Sequence, residues 1–479
     1  MYVYYLYRNQ GDFRDIHYRG ISHGKVKSPF TASGIPGGFT QFSGRYLSEL
    51  RAHRTNCIGK AQIYLHGLMK TNERRNIEQM ASVVPDADYE RLQWFISESP
   101  WSAQAVNDRT ALIASELFGD ETDAALLIDE CSFQKKGTHS VGVDRQWLGS
   151  VGKVDNGQVG VYVALSNGNN VALINTRLYL PRSWTSDSAR CKKAGVPDSE
   201  AKFLTKDNIA IELVKHARSL DVKYGYVVAD AGYGKGSNVM EALETQGEIF
   251  MIDVHTSMQV YLNAPAPYVP EDTGSRGRKH TTLVSDLKPQ RVDKIASSLP
   301  SSAWIRQTVR PSTKGPLVYE YAVTPVWIWS NESGQVYQWQ LLMRRDIHGR
   351  NLKYSLTNSP AETPLLRLAK MQAQRYWIER AFEDAKQVCG MDEYEVRSWM
   401  GWHHHMALVM MAQLFIVQMR IENKHDVELL SSADVRRLMA TVLPSKILDL
   451  EDVLDQMHKR HKVRQRQIDA AEVHYKSSD

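Results

Sequence analysis

Cysteine is scarce in this chain. Its four thiols, Cys57, Cys131, Cys191 and Cys389, form no CxxC pair and follow no regular spacing. That excludes a zinc ribbon and a disulfide framework, and leaves reduced thiols as the simplest reading. Long apolar runs are lacking too. The most apolar helical stretch, around Met406–Met419, is interrupted by Gln413 and falls well short of the ~20 residues a bilayer span needs. The N-terminal MYVYYLYRNQ is aromatic but has no basic stretch ahead of an apolar core, so it does not read as a signal peptide. No internal repeat is visible. Charge of one sign is not in great excess: 59 Lys and Arg face 54 Asp and Glu, a formal net charge of +5. Such a balance is compatible with a nucleic-acid partner only if the positive charge clusters. These absences predict a soluble, cytoplasmic protein with no membrane partner.

What is present is ordinary for a globular chain: 479 residues, 42% hydrophobic and 24% charged, enough for two or three domains. Residues 1–40 are rich in Gly, Tyr and Arg and read as an arm. Residues 41–122 turn helical, with Leu47, Leu50, Ile58, Ala61, Leu65, Leu68 and Met69 mostly three or four apart. Arg45, Arg51, Arg54, Lys60, Lys70, Arg74 and Arg75 crowd the same stretch. From charge alone, a basic binding face and a solvated helix surface are equally good readings.

Residues 123–256 alternate differently. LLIDE, QVGVYVALS, VALINTRLYL, YGYVVAD and EIFMIDVHT read as strands. A helix over Thr205–Ser219, with Asp207 as its expected N-cap, lies between two of them. Strands alternating with helices predict a mixed α/β sheet. Residues 257–360 carry LVYEYAVTPVWIWS, a NESG turn and QVYQWQLLMRR, which predict a β-rich insertion. Residues 361–422 return to helix, and 423–479 read as a helical C-terminal region with the basic run HKRHKVRQRQ.

Three acids carry chemistry. Asp129 in LLIDECSF and Asp230 in YVVADAGYG each end a short apolar run. Glu379 lies in RYWIERAFEDAK, a strongly helical segment. Two strand-end carboxylates and one helical carboxylate suit two Mg²⁺ ions acting on a phosphodiester, with Mg²⁺ favouring carboxylate oxygens. The glycines after Asp230 permit a tight turn. Arg375 and Lys386 stand four before and seven after Glu379, on one helix face. Singly, each feature is as well explained by a capping or solvated side chain.

The segments LLIDECSFQKKGTHSVGV, YVVADAGYG and RYWIERAFEDAKQVCGMDEYEVRSWMGWHHHMALVMMA strongly resemble the DDE transposases of bacterial insertion sequences, nearest in type to insertion sequence 701 and related to the larger IS-four group. The resemblance covers roughly Gln41 to Met419. It implies an α/β RNase H-like (retroviral integrase-like) catalytic core, with a β-rich insertion and helical N-terminal and C-terminal regions. It further implies that residues 41–122 bind DNA, that Asp129, Asp230 and Glu379 hold two Mg²⁺ ions with Mn²⁺ able to substitute, and that Arg375, Tyr376 and Lys386 grip transposon-end phosphates. Where the family often has Tyr, three before the Arg, this chain has Gln372. Glu130 adjoins Asp129 but points to the opposite face of a strand, and Glu383 lies one turn from Glu379; Asp129 and Glu379 are the expected ligands.

Secondary candidates are balanced by plainer readings. Lys135 and Lys136, with His139, could contact DNA phosphates or form a charged turn. Arg276, Arg278, Lys279 and His280 could track DNA or serve as a solvated linker. Trp327 and Trp329 share a strand face and could stack on an extruded base, though packing within the insertion is commoner. His403, His404 and His405 diverge by ~100° each on a helix and so are not expected to bind one metal. The leading expectation is a homodimeric transposase that cleaves transposon ends and joins the 3′-OH to target DNA. The rivals are a catalytically idle DNA-binding relative and an RNase H-like nuclease without strand transfer.

Overall fold

The computed structural model describes residues 34–52, 55–71, 74–270, 282–312 and 315–476. Most of the arm at 1–40 and the basic loop holding Arg276, Arg278, Lys279 and His280 therefore lie outside the described residues.

Among the described residues, ten strands form one mixed sheet: β1 (Ala125–Gln134), β2 (Asp144–Leu148), β3 (Lys153–Asn167), β4 (Asn170–Leu178), β5 (Tyr226–Ala229), β6 (Phe250–Val254), β7 (Ile305–Ser312), β8 (Gly315–Trp329), β9 (Val336–Arg345) and β10 (Lys353–Thr357). The order is β7-β8-β9-β10-β6-β5-β1-β3-β2, with β4 also paired to β3. β3 is antiparallel to both of its neighbours β1 and β4, whereas β5 runs parallel to β1 and β6 parallel to β5. The core order β4-β3-β1-β5-β6 is the RNase H-like arrangement expected from the sequence.

The parallel strands are apolar runs because helices cover them. All four residues of β5, Tyr226 to Ala229, are buried. The helix Lys206–Ser219 buries Ile209, Ala210, Leu213, Val214 and Ala217. Its N-cap is Thr205, whose hydroxyl accepts from the Asn208 N–H at 3.1 Å. Asp207 is therefore not the cap the sequence predicts. Thr205 keeps an extended backbone while Asp207 is already helical, so Asp207 sits in the first turn, where its charge complements the helix dipole.

The helix Trp399–Glu422 is buried almost all round. It packs against β4, against Ala103–Phe118 and against Ile58–Lys70, so the sheet and the N-terminal helices share it. Its three histidines diverge as predicted. His403 Nδ1 meets the Trp399 carbonyl at 2.9 Å, His404 meets the carbonyls of Ile96 and Trp101 at 2.9 and 2.8 Å, and His405 Nδ1 meets the Tyr64 hydroxyl at 2.8 Å. Gln413, which looked in the sequence like a polar interruption, is 3% exposed and bonds at both ends. Its oxygen accepts from the Leu173 N–H at 2.9 Å, and its nitrogen donates to the Ala381 carbonyl at 2.7 Å.

Several N-terminal basic residues serve as internal ties. Arg75 is buried and pairs with Glu393 at 2.6 Å. Lys70 donates to the carbonyls of Ala440 and Leu443 at 2.6 and 2.8 Å. Arg45 pairs with Glu116.

The strands of the 257–360 stretch extend the sheet beyond β6. β8 remains one strand of 15 residues despite Pro325. Its pairing with β7 ends at Tyr321, while its pairing with β9 runs to Trp329. Pro325 thus sits where β8 has only β9 beside it in this sheet, and its missing N–H costs no ladder bond.

Candidate active site

β1, β5 and β6 run side by side in register. Ile128 is in register with Ala229, and Ala229 with Ile252. The next residue in each strand is an aspartate, so Asp129, Asp230 and Asp253 form a row across three adjacent parallel strands. The loop after Asp230 is held close. The Gly232 N–H donates to Asp230 Oδ1 at 2.9 Å, and a Cβ on Gly234 would lie 2.1 Å from the Asp253 carbonyl oxygen. No side chain fits at Gly234, which explains one glycine of the AGYG turn.

Glu379 comes from the helix Tyr376–Gln387. Arg375 immediately precedes that helix in αR conformation and keeps the one-turn spacing to Glu379. Its guanidinium stands among the acids. Nη2 bonds Glu379, Nη1 lies 3.9 Å from Asp129 Oδ2, and Nε lies 3.7 Å from Asp253 Oδ2. Among the described residues, no three His, Cys, Asp or Glu side chains converge closely enough to cage a metal; Arg375 bridges the carboxylates instead.

The electrostatics follow from this crowding. Burial, and next the neighbouring Asp230 carboxylate, push Asp129 up to about 7, although the Glu130 N–H and Arg375 act the other way. Burial raises Asp253, partly offset by the Ser355 hydroxyl and Arg375. Burial alone would lower Arg375, but Glu379, Asp253 and Asp129 outweigh it and raise it. Desolvated carboxylates that share too little positive charge, with only oxygen donors, fit a hard divalent cation.

The model of the "DDE superfamily endonuclease" family matches residues 45–316. The chain belongs to that family. It is also 25% identical over 338 residues, 70% of this chain and 76% of the relative, to a "Probable transposase for insertion sequence element IS701" of Microchaete diplosiphon. The likeness to insertion sequence 701 transposases seen in the motifs thus extends over most of the chain. A solved structure of the piggyBac transposase synaptic complex with hairpin DNA aligns over 85% of this chain and 77% of its own, at 12% identity and a TM-score of 0.35, too distant to bear on the fold.

The other predicted residues of this DDE chain separate into groups. Glu130 faces away from Arg375 and pairs with Lys206 at 2.6 Å, and Glu383 is exposed and paired with Arg380. Lys386 lies beside the Cys131 thiol of β1, on the Glu379 helix. Tyr376 is 41% exposed, with the Arg310 guanidinium 4.7 Å from its ring. Lys136 is exposed. Lys135 lies 3.6 Å over the Tyr394 ring, and burial lowers it to about 8. Trp327 and Trp329 lie in β8, opposite Gln338 and Val336 of β9. Trp329 stacks on Tyr261 at 5.1 Å, and the Trp327 backbone bridges to Tyr261, so both have partners inside the molecule.

Sequence reasoning missed Asp253, Ser355 and Lys353. The first had a visible signal: FMID repeats the apolar-run-then-Asp pattern of LLID and VVAD. Ser355 and Lys353 carried none, because only the pairing of β10 with β6 brings them to the site.

Proposed function

We propose that this chain is a divalent-metal-dependent DNA transposase that binds transposon terminal inverted repeats, cleaves at the ends and joins the freed 3′-OH to target DNA as a homodimer. The observation that carries this reading is the alignment of Asp129 with Asp230 at one strand level, together with Glu379 reaching the same place through Arg375.

Asp129, Asp230 and Glu379 would hold the metal, Mg²⁺ or in its place Mn²⁺. When bound, it supplies activation of the attacking water or hydroxyl and stabilisation of the leaving oxygen. The chain does the rest. The Glu130 N–H on Asp129 Oδ1 at 2.7 Å and the Gly232 N–H on Asp230 fix one oxygen of each carboxylate. That leaves the second oxygen of each aimed by a rigid sheet. Arg375 and Lys386, on or beside the Glu379 helix, offer cations to the scissile and flanking phosphates. Tyr376 and Lys136, both exposed, are suited to backbone contact. Lys135, Trp327 and Trp329, engaged with Tyr394 and Tyr261, support the fold around the site more directly than they support DNA contact. Two copies of the chain account for holding two ends together.

The test incubates the protein with labelled transposon ends, a target plasmid and Mg²⁺. Joined products are expected. Cleavage without joining would reduce the reading to a nuclease, and end binding without cleavage would leave a DNA-binding relative.

A further inference from the structure

Asp253 is not needed as a third carboxylate, yet it occupies the same level as Asp129 and Asp230. Its surroundings differ from theirs. Ser355 is its register partner across β6 and β10, fully buried, and donates to Asp253 Oδ1 at 2.5 Å. Gln372, 4% exposed, donates to the Ser355 hydroxyl at 2.7 Å. Two side chains, Ser355 from a strand and Gln372 from a helix, thus lock one oxygen of Asp253. The other oxygen faces the Nε edge of Arg375, while the two Nη atoms of the same guanidinium face Asp129 and Glu379.

A metal ion and a guanidinium compete for the same carboxylate oxygens. Rotation about the bond preceding Nε swings both Nη atoms and the Nε–H, while the Nε atom itself stays at its ion-pair distance from Asp253. We propose that Arg375 is the resident counter-cation of the metal-free site, and that Asp253, fixed by Ser355 and Gln372, is the positioning residue that retains Arg375 at the edge of the site when a divalent ion takes Asp129 and Glu379. Without Asp253, Arg375 has no partner for its Nε edge and holds Asp129 and Glu379 more firmly against the metal. Gln372, placed where a DNA-facing side chain would be expected, belongs to this buried relay.

The inference rests on the metal-dependent reading, so its test reads metal binding by the full chain without DNA. Mn²⁺ affinity is measured by electron paramagnetic resonance for the wild type, Asp253→Asn, Arg375→Ala and the double variant. Arg375→Ala should tighten Mn²⁺ by about tenfold, since a competing cation is gone, and Asp253→Asn should weaken it by about tenfold. In the Arg375→Ala background, Asp253→Asn should have little further effect, because an anchor has nothing left to hold. Equal weakening in both backgrounds would mean that Asp253 acts on the metal directly, and would overturn the anchor. No tightening in Arg375→Ala would overturn the counter-cation. Wild-type protein that binds no Mn²⁺ would remove the metal-dependent reading and this inference together. If Asp253→Asn melts early, Ser355→Ala replaces it, with the same direction and background dependence expected.

Discussion

Gln413 donates its side-chain amide to the carbonyl of Ala381, two residues beyond Glu379, while accepting from the Leu173 N–H of the central sheet. One buried side chain thus spans from the sheet to the helix bearing the third acid. Leu173 lies where the register between β3 and β4 shifts, so its N–H needs an outside acceptor. Gln413→Leu leaves that N–H unsatisfied and should cost about 1–3 kcal/mol. Urea unfolding measures the loss. Cleavage of transposon ends should fall along with it, beyond what the unfolded fraction explains, since the Glu379 helix loses its tether. Unchanged urea midpoint and cleavage would show that the tether is dispensable.

The neighbouring acids Asp129 and Glu130 should differ sharply. Asp129→Asn and Asp230→Asn are expected to abolish cleavage and joining while leaving end binding largely intact. Glu130→Gln breaks only the pair with Lys206, and should leave most activity. Gel assays of binding and joining on the three variants decide it. Joining by Asp230→Asn at the wild-type rate would misplace the metal site.

Much of this was legible in the residues. LLID and VVAD announced strands because parallel, doubly covered strands must be apolar throughout, and the Arg–Glu spacing announced a shared helix face. What could not be read was register. Asp253 matters only because Ala229 pairs with Ile252, and Ser355 only because β10 lies along β6. The first joins residues 23 apart and the second residues 102 apart, and no local pattern encodes either. The basic residues misled for a related reason: Arg75 and Lys70 look solvated until Glu393 and the Ala440 carbonyl arrive from the far end of the chain.

Gly234 has no room for a side chain. Its Cβ would meet the Asp253 carbonyl oxygen at 2.1 Å, a backbone atom held in β6. Gly234→Ala must push the Asp230 loop away from the row. End cleavage should drop by at least about tenfold, as small misplacements of reacting groups do, with end binding preserved. Wild-type cleavage by Gly234→Ala would show that the loop position is unimportant.

Acid should weaken the fold. Burial lowers His66, His403, His404 and His405 from their usual value to about 4. The unfolded chain takes protons near pH 6.5 and the folded chain does not until near pH 4. Stability is therefore complete above pH 6.5 and lost as pH falls through that window. Each buried histidine contributes roughly 2 kcal/mol of loss between pH 6.5 and 5. Urea midpoints at pH 7.5 and 5.5 check this; equal midpoints would contradict it.

The acids of the site are gathered from positions 129, 230, 253 and 379, and the helix carrying the last is fastened by Gln413, later still. During synthesis, a ribosome-bound chain holds the first aspartates long before it holds the glutamate or its fastening. An enzyme built this way emerges without a working blade. On the proposed function, DNA meets the complete centre only after the chain as far as Gln413 has emerged and folded.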